Sequence, residues 1–332
     1  MGKIAVIGVK EDTGREFLNI LCENGVNATD VTALELKAVL GTVVSFGEDD
    51  ELDIEALEGF DFKRVEAAVF FGAKEVLKRY VKKAVDAGIK VIDATGALIA
   101  DETVPMVIDG VTDKEVLKNT RAVMAASSAV YQVLLPLAEV LKSHKLKRLS
   151  VNLFCSASHY GRGGMDELFT QARKIFLNES LADHEAVFKK QIAFNVLPQV
   201  GEFVGDETEL EWRVNAEIKK VLGGELKVVA NAAFVPTFIG DGAFVNAEFF
   251  DDVDADELRE LMKKTPQVVV FDKTVDGGYV SVDDVQGEDS VYVSRVKQDV
   301  SVENGISFWS VADNLRAGSA VNVYGLLKGM GL

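Results

Sequence analysis

The chain has 332 residues, of which 48% are hydrophobic and only 5 are proline, as expected for a folded protein rather than a disordered or fibrous one. Its 36 basic and 53 acidic side chains give a formal net charge of −17, which argues against duplex nucleic acid or an anionic membrane surface as a partner. Two cysteines without a Cys-x-x-Cys pair argue against a disulfide scaffold, and neither they nor the three histidines have a metal-site spacing. The length predicts two domains, and the lack of a signal-peptide pattern or a long apolar run predicts a cytoplasmic protein.

The first third of the chain alternates strand and helix patterns. The apolar run "KIAVI" (3–7) leads through "GVKEDTG" (8–14) into a helix that we expect from about Arg15 to Glu23. The runs "AAVFFG" and "KVIDAT" then enclose a helical pattern, "KEVLKRYVKKAVDAG" (74–88), that ends in glycine. This order predicts a parallel sheet covered by helices. The acid-rich segment "DDELDIEALEGFDF" (49–62) predicts a solvated strand edge and loop.

The second part of the chain is rich in strands. We expect one long helix from about Ser127 to Lys142, followed by the strand "LKRLSVNLFCSAS" (146–158). Five further strand patterns follow: "ELKVVANAAFVP", "GAFVNAEFF", "QVVVFD", "SVYVSRVKQDVSV" and "ISFWSVAD". Strands at this density, without a helix between each pair, predict a mostly antiparallel or mixed sheet in an α+β domain. The stretch "NLRAGSAVNVYGLLKGM" (314–330) returns to a helix of small residues.

Particular strings resemble the aspartate-semialdehyde dehydrogenase family over nearly the full length. They are "VSVENGISFWSVADNLRAGSAVN", "QIAFNVLP", "VPTFIG", "GGMDEL" and "ETVPMVIDGVT". The resemblance implies a Rossmann-type parallel sheet domain made of residues 1–127 and 309–332, an inserted α+β dimerisation and substrate domain of residues 128–308, and a C-terminal helix that returns to the first domain. It also implies a homodimer that reduces an acyl phosphate with NADPH through an enzyme thioester.

The family's catalytic positions carry unusual residues here. Ungapped counting puts Ser128 at the family's nucleophilic cysteine and Cys155 at a later glutamine, while a gap of three residues would put Ala125 at the nucleophile position. Asp241 stands where the family has its histidine, and Phe234 where it has the arginine for the substrate carboxylate. A serine alcohol needs a strong adjacent base, and phenylalanine cannot bind a carboxylate, so these positions predict weakened or lost activity.

Three further features each have two interpretations. Cys155 and His159, four residues apart, are either a relocated nucleophile and base or a buried strand cysteine and a loop histidine. Glu211 and Arg213 in "EWR" match an acid and a lysine of the family's substrate pocket, or they form a surface ion pair on a helix. Arg162 in "SHYGRGG" belongs either to a small anion-binding loop or to a plain glycine turn.

The family's cofactor loop reads Gly-x-x-Gly-x-x-Gly, and only its outer positions, Gly8 and Gly14, are retained. Glu11 takes the middle position, where a carboxylate about 5 Å from a phosphate would cost roughly 3 kcal/mol at an effective dielectric constant of 20. Its alternative role, together with Asp12 and Thr13, is to cap the first helix and complement its dipole. Ile99 occupies the place of the family's phosphate-binding arginine. We therefore expect no cofactor, or NADP if the family site still functions.

Serine at the nucleophile position is shared with the usg group of dehydrogenase-like proteins, which this chain resembles more than it resembles the working enzyme. We therefore expect a homologue without dehydrogenase activity that acts as a dimeric binding or regulatory protein for a protein partner or a small molecule. The alternative is an active NADP-dependent semialdehyde dehydrogenase of amino-acid biosynthesis, with altered chemistry at Ser128, Cys155 or Asp241. A third hypothesis is unrelated small-molecule binding in a cleft between the domains.

Overall fold

The computed structural model describes residues 3–39, 41–181, 186–223 and 225–332. It forms two compact units, Met1–Ser127 with Gly318–Leu332, and Ser128–Ala317. The sequence-based limits placed the return to the first unit at residue 309. The structure keeps the chain in the second unit up to Ala317, because the strand Gly305–Ala312 pairs along its whole length with the strand Asp241–Phe249.

The first unit contains an eight-stranded sheet in the order β3-β4-β2-β1-β5-β6-β8-β7, and every pair except β3–β4 is parallel. Its strands are β1 Ile4–Ile7, β2 Val31–Glu35, β3 Val43–Phe46, β4 Asp50–Ala56, β5 Ala67–Phe70, β6 Lys90–Asp93, β7 Met106–Val107 and β8 Ala122–Ala125. Its helices are α1 Asp12–Glu23, α2 Lys74–Asp86, α3 Lys114–Asn119 and α8 Asn322–Gly329. The predicted Rossmann-type parallel sheet is therefore confirmed.

The central strands of this sheet, β1, β5 and β8, are buried at every position, as is typical of parallel strands covered on both faces. Leu326 and Leu327 of α8 lie in the same apolar cluster as Phe17 of α1 and Val123 of β8, so the returning helix completes this core. The acid-rich segment is not an edge, because β4 lies between β3 and β2. Only its apolar residues at alternate positions are buried, so its carboxylates remain in solvent.

The second unit is built on a six-stranded mixed sheet in the order β12-β9-β13-β16-β15-β14, as the density of strand patterns predicts. Its strands are β9 Leu146–Cys155, β12 Lys227–Phe234, β13 Asp241–Phe249, β14 Val268–Val270, β15 Val291–Gln298 and β16 Gly305–Ala312, with a separate hairpin of β10 Phe203–Val204 and β11 Glu207–Thr208. Its helices are α4 Ser128–Leu134, α5 Gly161–Phe176, α6 Glu209–Leu222 and α7 Ala255–Met262.

The long helix expected from Ser127 to Lys142 is interrupted. The α-helical part ends at Leu134, and two 3-10 turns, Leu135–Leu137 and Val140–Lys142, follow. Pro136 explains the break, since its ring removes a backbone donor and clashes with the preceding turn. None of the described helices is long and apolar enough to cross a membrane.

The two faces of the six-stranded sheet differ. Along β9, alternate residues that include Val151 and Cys155 are buried. On the opposite face, the rings of Phe154, Phe244 and Trp309 lie 4.8–6.2 Å apart, and Phe244 is 40% exposed. We call this second surface the open face of the sheet.

Candidate functional site

A thiol, an imidazole and a carboxylate meet where β9 ends and β13 begins. Cys155 is the last residue of β9, His159 lies in the 3-10 turn that follows, and Asp241 is the first residue of β13. The antiparallel pairing of Gly242 with Phe154 brings Asp241 to the level of Cys155. The ligand atoms of the three side chains all lie within 4.8 Å of one another. The structure therefore brings together two predicted catalytic positions and the histidine that sequence analysis considered as a base.

Asp241 is a buried carboxylate whose two oxygens have separate partners. Its Oδ2 lies 2.5 Å from Nε2 of His159. Its Oδ1 accepts hydrogen bonds from the backbone N–H of Ser156 at 2.9 Å and from the Ser156 hydroxyl at 3.1 Å. The Asp241 side chain is 1% exposed and that of His159 is 16% exposed. Because a buried charge is stable only when it is paired and hydrogen-bonded, these contacts fix the carboxylate and orient the imidazole.

The hydrogen bonds of Asp241 continue into a second set of polar groups, formed by Ser156, Ser158 and Asn314. The hydroxyls of Ser156 and Ser158 lie 2.8 Å apart, and Nδ2 of Asn314 donates to Oγ of Ser158 at 2.9 Å. The backbone N–H of Gly240 donates to Oδ1 of Asn314 at 2.9 Å. The network thus connects the ends of β9 and β16 with the residue before Asp241, and it limits movement of the Asp241 and His159 side chains.

The charges of this cluster determine its protonation. Burial acts to lower the pKa of His159, but the Asp241 carboxylate, the neighbouring sulfur and the hydrogen bonds outweigh burial and raise that pKa well above its usual value. Burial raises the pKa of the Cys155 thiol, an effect that the charge of His159 opposes and the carboxylate of Asp241 reinforces. The resting form is therefore a thiol beside an imidazolium–carboxylate pair.

An aromatic pocket adjoins this cluster. The ring centroid of Phe234 lies 4.9 Å from that of Tyr160, 5.0 Å from that of Phe188 and 6.3 Å from that of His159. Phe234 is also the parallel partner of Cys155 across β12 and β9. A cavity of about 180 Å³ is lined by the rings of Tyr160, Phe188 and Phe234 and does not include Cys155, His159 or Asp241 in its lining. Its apolar lining consists of Tyr160, Phe188, Leu197, Pro198, Phe203 and Phe234.

The other predicted nucleophile, Ser128, is the first residue of α4 and is half-buried. Within the described residues, no side-chain base is hydrogen-bonded to its hydroxyl. Ser128 therefore lacks the activation that a serine nucleophile requires. The expectation that no metal binds this chain stays a prediction, because Cys155, His159 and Asp241 are all of metal-ligating type.

The surface ion pair between Glu211 and Arg213 stays a prediction, and each side chain has other partners. The carboxylate of Glu211 accepts from the backbone N–H groups of Thr208 at 2.7 Å and Ala232 at 3.0 Å, which caps α6 and attaches it to β12. Nε of Arg213 donates to Oε1 of the buried Glu217 at 2.6 Å. The contacts of both side chains therefore stabilise α6.

The glycine-rich stretch around Arg162 is helical rather than an anion-binding loop. The 3-10 turn Ala157–Tyr160 runs directly into α5, and Gly164 is needed there because a Cβ would lie 2.4 Å from the Ala157 carbonyl oxygen. The Arg162 side chain is exposed and lies 3.6 Å from Asp166 one turn later. In the structure Arg162 therefore interacts with Asp166 on the surface of α5, and a role in anion binding stays a prediction.

The loop after β1 retains the backbone of a nucleotide-binding turn. Gly8 has a φ of +84°, and a Cβ there would lie 2.2 Å from the carbonyl oxygen of Phe71. A Cβ on Gly14 would lie 2.1 Å from the carbonyl oxygen of Gly8, so only glycine allows α1 to approach the loop this closely. Glu11 occupies the N-cap position of α1, but its side chain makes no capping hydrogen bond. A capping hydrogen bond from the Glu11 side chain is therefore not formed, while Glu11 and Asp12 do place carboxylates at the start of α1, where they complement the helix dipole.

A second carboxylate lies at this loop. Glu35 ends β2, and its Oε1 accepts a hydrogen bond from the backbone N–H of Lys10 at 2.6 Å. Burial, followed by the charges of Glu35 and Asp12, raises the pKa of Glu11. Ile99, at the position of the family's phosphate-binding arginine, is half-buried in the turns after β6. The loop thus combines a suitable backbone with two unfavourable charges for a phosphate.

Several site residues were missed by sequence reasoning. Asn314 and Ser156 have no local pattern, although the polar string "CSASH" next to a strand end was a signal for a hydrogen-bonded turn. Phe188 joins the aromatic pocket from a distant irregular segment, which no periodicity indicates. Of the remaining histidines, His144 packs edge-on against Phe249, and His184 lies outside the described residues.

Comparisons with known proteins agree with this architecture. The family model for the semialdehyde dehydrogenase NAD binding domain matches residues 3–119, and that for the semialdehyde dehydrogenase dimerisation domain matches residues 134–317. The aspartate-semialdehyde dehydrogenase of Rickettsia bellii is 36% identical over 324 residues, which cover 96% of this chain and 94% of that protein. Aspartate semialdehyde dehydrogenase II from Vibrio cholerae, solved in complex with ASA, has a TM-score of 0.92 at 26% identity and covers 100% of this chain and 98% of its own. The Candida albicans enzyme solved with NADP shares the fold at 15% identity, with a TM-score of 0.74 and coverage of 100% and 99%. With two family models and a full-length relative above 30% identity in agreement, this chain belongs to the aspartate-semialdehyde dehydrogenase family.

Proposed function

We propose that this chain is a nicotinamide-dependent oxidoreductase of the semialdehyde dehydrogenase type in which Cys155, rather than Ser128, is the nucleophile. The observation that carries the proposal is the grouping of Cys155, His159 and Asp241 within 4.8 Å. A thiol beside an oriented imidazole is the arrangement that covalent acyl chemistry requires. Relatives of nearly the same length that are named aspartate-semialdehyde dehydrogenase support the same class of reaction.

In the proposed reaction, Sγ of Cys155 forms a bond to the aldehyde carbon, and the thiol proton ends on the carbonyl oxygen. A bound nicotinamide would supply the hydride acceptor for oxidation of this adduct to a thioester, and the hydroxyl proton would be released to solvent. A phosphate oxygen then attacks the carbonyl carbon, the C–S bond breaks, and the electron pair returns to sulfur. His159, an imidazolium in the resting site, donates a proton to the carbonyl oxygen and is reprotonated by the proton that the thiol releases, while Asp241 keeps the ring in position.

The protonation of the resting site makes this reaction dependent on pH. The thiol of Cys155 must lose its proton before attack, and burial raises the pKa of that thiol. The imidazolium of His159 stabilises the thiolate once it forms. We therefore expect the rate of thioester formation to rise as the pH increases above neutrality.

The backbone of the loop after β1 is suitable for a dinucleotide, and the charged side chains of the loop favour NAD over NADP. Gly8 and Gly14 allow the close backbone packing between the loop and α1 that is typical of a pyrophosphate-binding turn. Glu35, at the end of β2, suits the ribose hydroxyls of NAD and opposes the 2′-phosphate of NADP. Glu11 lowers affinity for either nucleotide. Of the two, NAD is therefore the cofactor that these residues favour.

We also propose that two copies of the chain associate through the open face of the six-stranded sheet. Phe244 and Val229 are both exposed on this face although they are apolar. A sheet normally buries one face and exposes polar residues on the other. The match to a dimerisation domain over residues 134–317 supports a homodimer.

The test of the catalytic proposal is a phosphorolytic dehydrogenase assay on three variants. Cys155→Ser should lower kcat/KM by about 10³-fold or more, because the nucleophile is removed. Ser128→Ala, and Cys22→Ser as a matched cysteine control, should stay within about threefold of the parent. Mass spectrometry should detect an acyl adduct on Cys155. Full activity of Cys155→Ser, or an adduct on Ser128, would refute the assignment.

A second candidate function, a non-catalytic binding or regulatory dimer like the usg group, is favoured by one specific observation: two carboxylates, Glu11 and Glu35, lie at the phosphate loop. Calorimetric titration with NAD, NADH, NADP and NADPH separates the two functions. If the parent binds none of them at millimolar concentration while Glu11→Gly gains affinity, the loop is closed to cofactors and the second function is correct. Micromolar binding by the parent supports the enzyme.

A further inference from the structure

We infer that Cys155, His159 and Asp241 form a binding site for a zinc ion, and that zinc bound there holds the proposed nucleophile in an inactive form. The sulfur, an imidazole nitrogen and a carboxylate oxygen of these residues all lie within 4.8 Å of one another. Among the residues that the structure describes, the other cysteine, Cys22, belongs to no such group. Zinc binding depends only on this grouping, whereas its effect on catalysis rests on the proposed function.

The chemical types of the three donors select zinc among divalent ions. Thiolate and imidazole are preferred by borderline-soft metal ions, and Zn²⁺ binds Cys, His and Asp side chains in tetrahedral sites. Mg²⁺ and Ca²⁺ require oxygen ligands, and the cluster offers a single carboxylate. The negative charges of the thiolate and the carboxylate balance the charge of one zinc ion. The complex therefore avoids the cost that burial imposes on an uncompensated charge.

The separation of the donor atoms is close to that of a tetrahedral zinc site. With a Zn–S distance of about 2.3 Å and Zn–N and Zn–O distances of about 2.0 Å, the donors lie about 3.3–3.5 Å apart. In the structure, Nε2 of His159 lies 2.5 Å from Oδ2 of Asp241, and the Cys155 sulfur lies within 4.8 Å of the other donors. Cys155 and Asp241 belong to paired strands, whereas His159 lies in the 3-10 turn. The imidazole is therefore the group that moves, by about 1 Å, when zinc binds.

The hydrogen bonds of Asp241 orient one of its oxygens toward the metal position. Oδ1 accepts from the backbone N–H of Ser156 at 2.9 Å and from the Ser156 hydroxyl at 3.1 Å, whereas Oδ2 faces His159. The Ser156 hydroxyl lies 2.8 Å from that of Ser158. Carboxylates that bind metals are usually held in this way by outer hydrogen-bond partners. Asp241 is therefore oriented to bind zinc through Oδ2, with Ser156 as its positioning residue.

The exposed part of His159 provides the entry path for the ion. Cys155 and Asp241 are buried, whereas the His159 side chain is 16% exposed. Three protein ligands leave the fourth tetrahedral position to a water molecule. When zinc binds, the thiol proton and one imidazolium proton are released to solvent, and a sulfur lone pair forms the bond to the metal. That lone pair can no longer attack an aldehyde, so zinc inhibits the proposed reaction until a chelator removes it.

The test measures zinc binding to the full-length protein separately from activity. Zinc chloride is titrated by calorimetry into protein that has been treated with EDTA and dialysed, with magnesium chloride as the control for metal type. Co²⁺ is titrated in parallel, because thiolate ligation produces a sulfur-to-cobalt charge-transfer band. Cys155→Ser removes the sulfur, Cys22→Ser is the matched control, and Ser156→Ala removes the hydroxyl that orients Asp241. Since the chain has two cysteines, a band that persists in Cys22→Ser comes from Cys155, even if Cys155→Ser fails to fold.

We expect one zinc ion per chain with a micromolar or lower Kd, no binding of magnesium, and a charge-transfer band that Cys22→Ser retains. The affinity for zinc should fall by about 10²-fold or more in Cys155→Ser and by about tenfold in Ser156→Ala. Absence of zinc binding, or the same affinity in Cys155→Ser as in the parent, would refute the site.

Dehydrogenase activity separates this inference from the proposed function. We expect the EDTA-treated parent to be active, zinc to inhibit it at the concentrations at which zinc binds, and EDTA to restore it. Activity that zinc does not inhibit would refute the zinc site and leave the proposed function intact. Zinc binding that requires Cys155, in a protein without dehydrogenase activity after EDTA treatment, would support the zinc site and refute the proposed function.

Discussion

Replacing Asp241 by asparagine tests the ion pair between Asp241 and His159, the histidine next to the candidate nucleophile Cys155. The amide oxygen of the variant can still accept the two hydrogen bonds from Ser156, so the end of β9 keeps its attachment. What is lost is the negative charge 2.5 Å from Nε2 of His159. Breaking a buried ion pair by removing one partner typically costs about 3–5 kcal/mol, because the remaining charge is left without compensation.

The size of this loss depends on pH in a defined direction. His159 has a raised pKa in the folded protein, so its pairing stabilises the parent fully below the unfolded-state pKa of about 6.5 and ceases to do so as the pH rises through the folded-state value. In Asp241→Asn the buried imidazole has no anion beside it, and acid destabilises that variant instead. The difference in free energy of unfolding should therefore be about 3–5 kcal/mol near pH 6 and fall toward about 1 kcal/mol, the value of a single hydrogen bond, at alkaline pH.

Urea unfolding of both proteins between pH 6 and pH 9.5 measures this difference, and NMR titration of the histidine ring protons locates the pKa of His159 directly. Asp166→Asn is the control, because the Arg162–Asp166 pair is exposed and should contribute less than about 1 kcal/mol at any pH. The reasoning is refuted if the loss in Asp241→Asn is the same at every pH, or if His159 in the parent titrates at or below the pKa of a free histidine.

Two further predictions concern the loop and the dimer. Gly14→Ala should lower the free energy of unfolding by about 2 kcal/mol or more in chemical denaturation, because the added Cβ would lie 2.1 Å from a backbone oxygen. Gly163→Ala is the control and should be neutral or stabilising, because its Cβ would meet only a side-chain atom at 3.5 Å. Phe244→Glu should convert the proposed homodimer to a monomer in sedimentation velocity, while Val300→Glu, at a 94% exposed position, should leave it dimeric. A dimeric Phe244→Glu would exclude the open face as the interface.

The sequence allowed the two sheets to be predicted because their strands differ in hydrophobic pattern. The continuous apolar runs of β1 and β5 are typical of parallel strands with both faces covered, and the structure confirms them as buried at every position. The closely spaced strands of the second unit likewise indicated a mixed sheet. The helix after Ser127 was predicted too long because the apolar spacing of α4 continues beyond Pro136, and one proline outweighs that spacing.

The candidate site could be predicted only in part, because its geometry depends on register. Nothing local in the sequence states that Gly242 lies opposite Phe154, and this pairing is what brings Asp241 to Cys155 and His159. For the same reason Glu11 was taken as a helix cap, since its position at the start of α1 was predictable but the direction of its side chain was not. Sequence patterns specify which elements form, whereas side-chain partners across elements are fixed by long-range packing.

The insertion of the second unit within the first has a consequence for synthesis on the ribosome. The core formed by α1, β1 and β8 includes Leu326 and Leu327 of α8, which are made only after residues 128–317. Until then, the surface that α8 covers is exposed on the nascent first unit, while the second unit, one continuous segment, can complete its sheet. The contacts of α8 are thus the most non-local in the chain, and such contacts are slow to form. We therefore expect the second unit to fold first, and chaperones that recognise exposed apolar surface to bind the first unit until α8 has been synthesised.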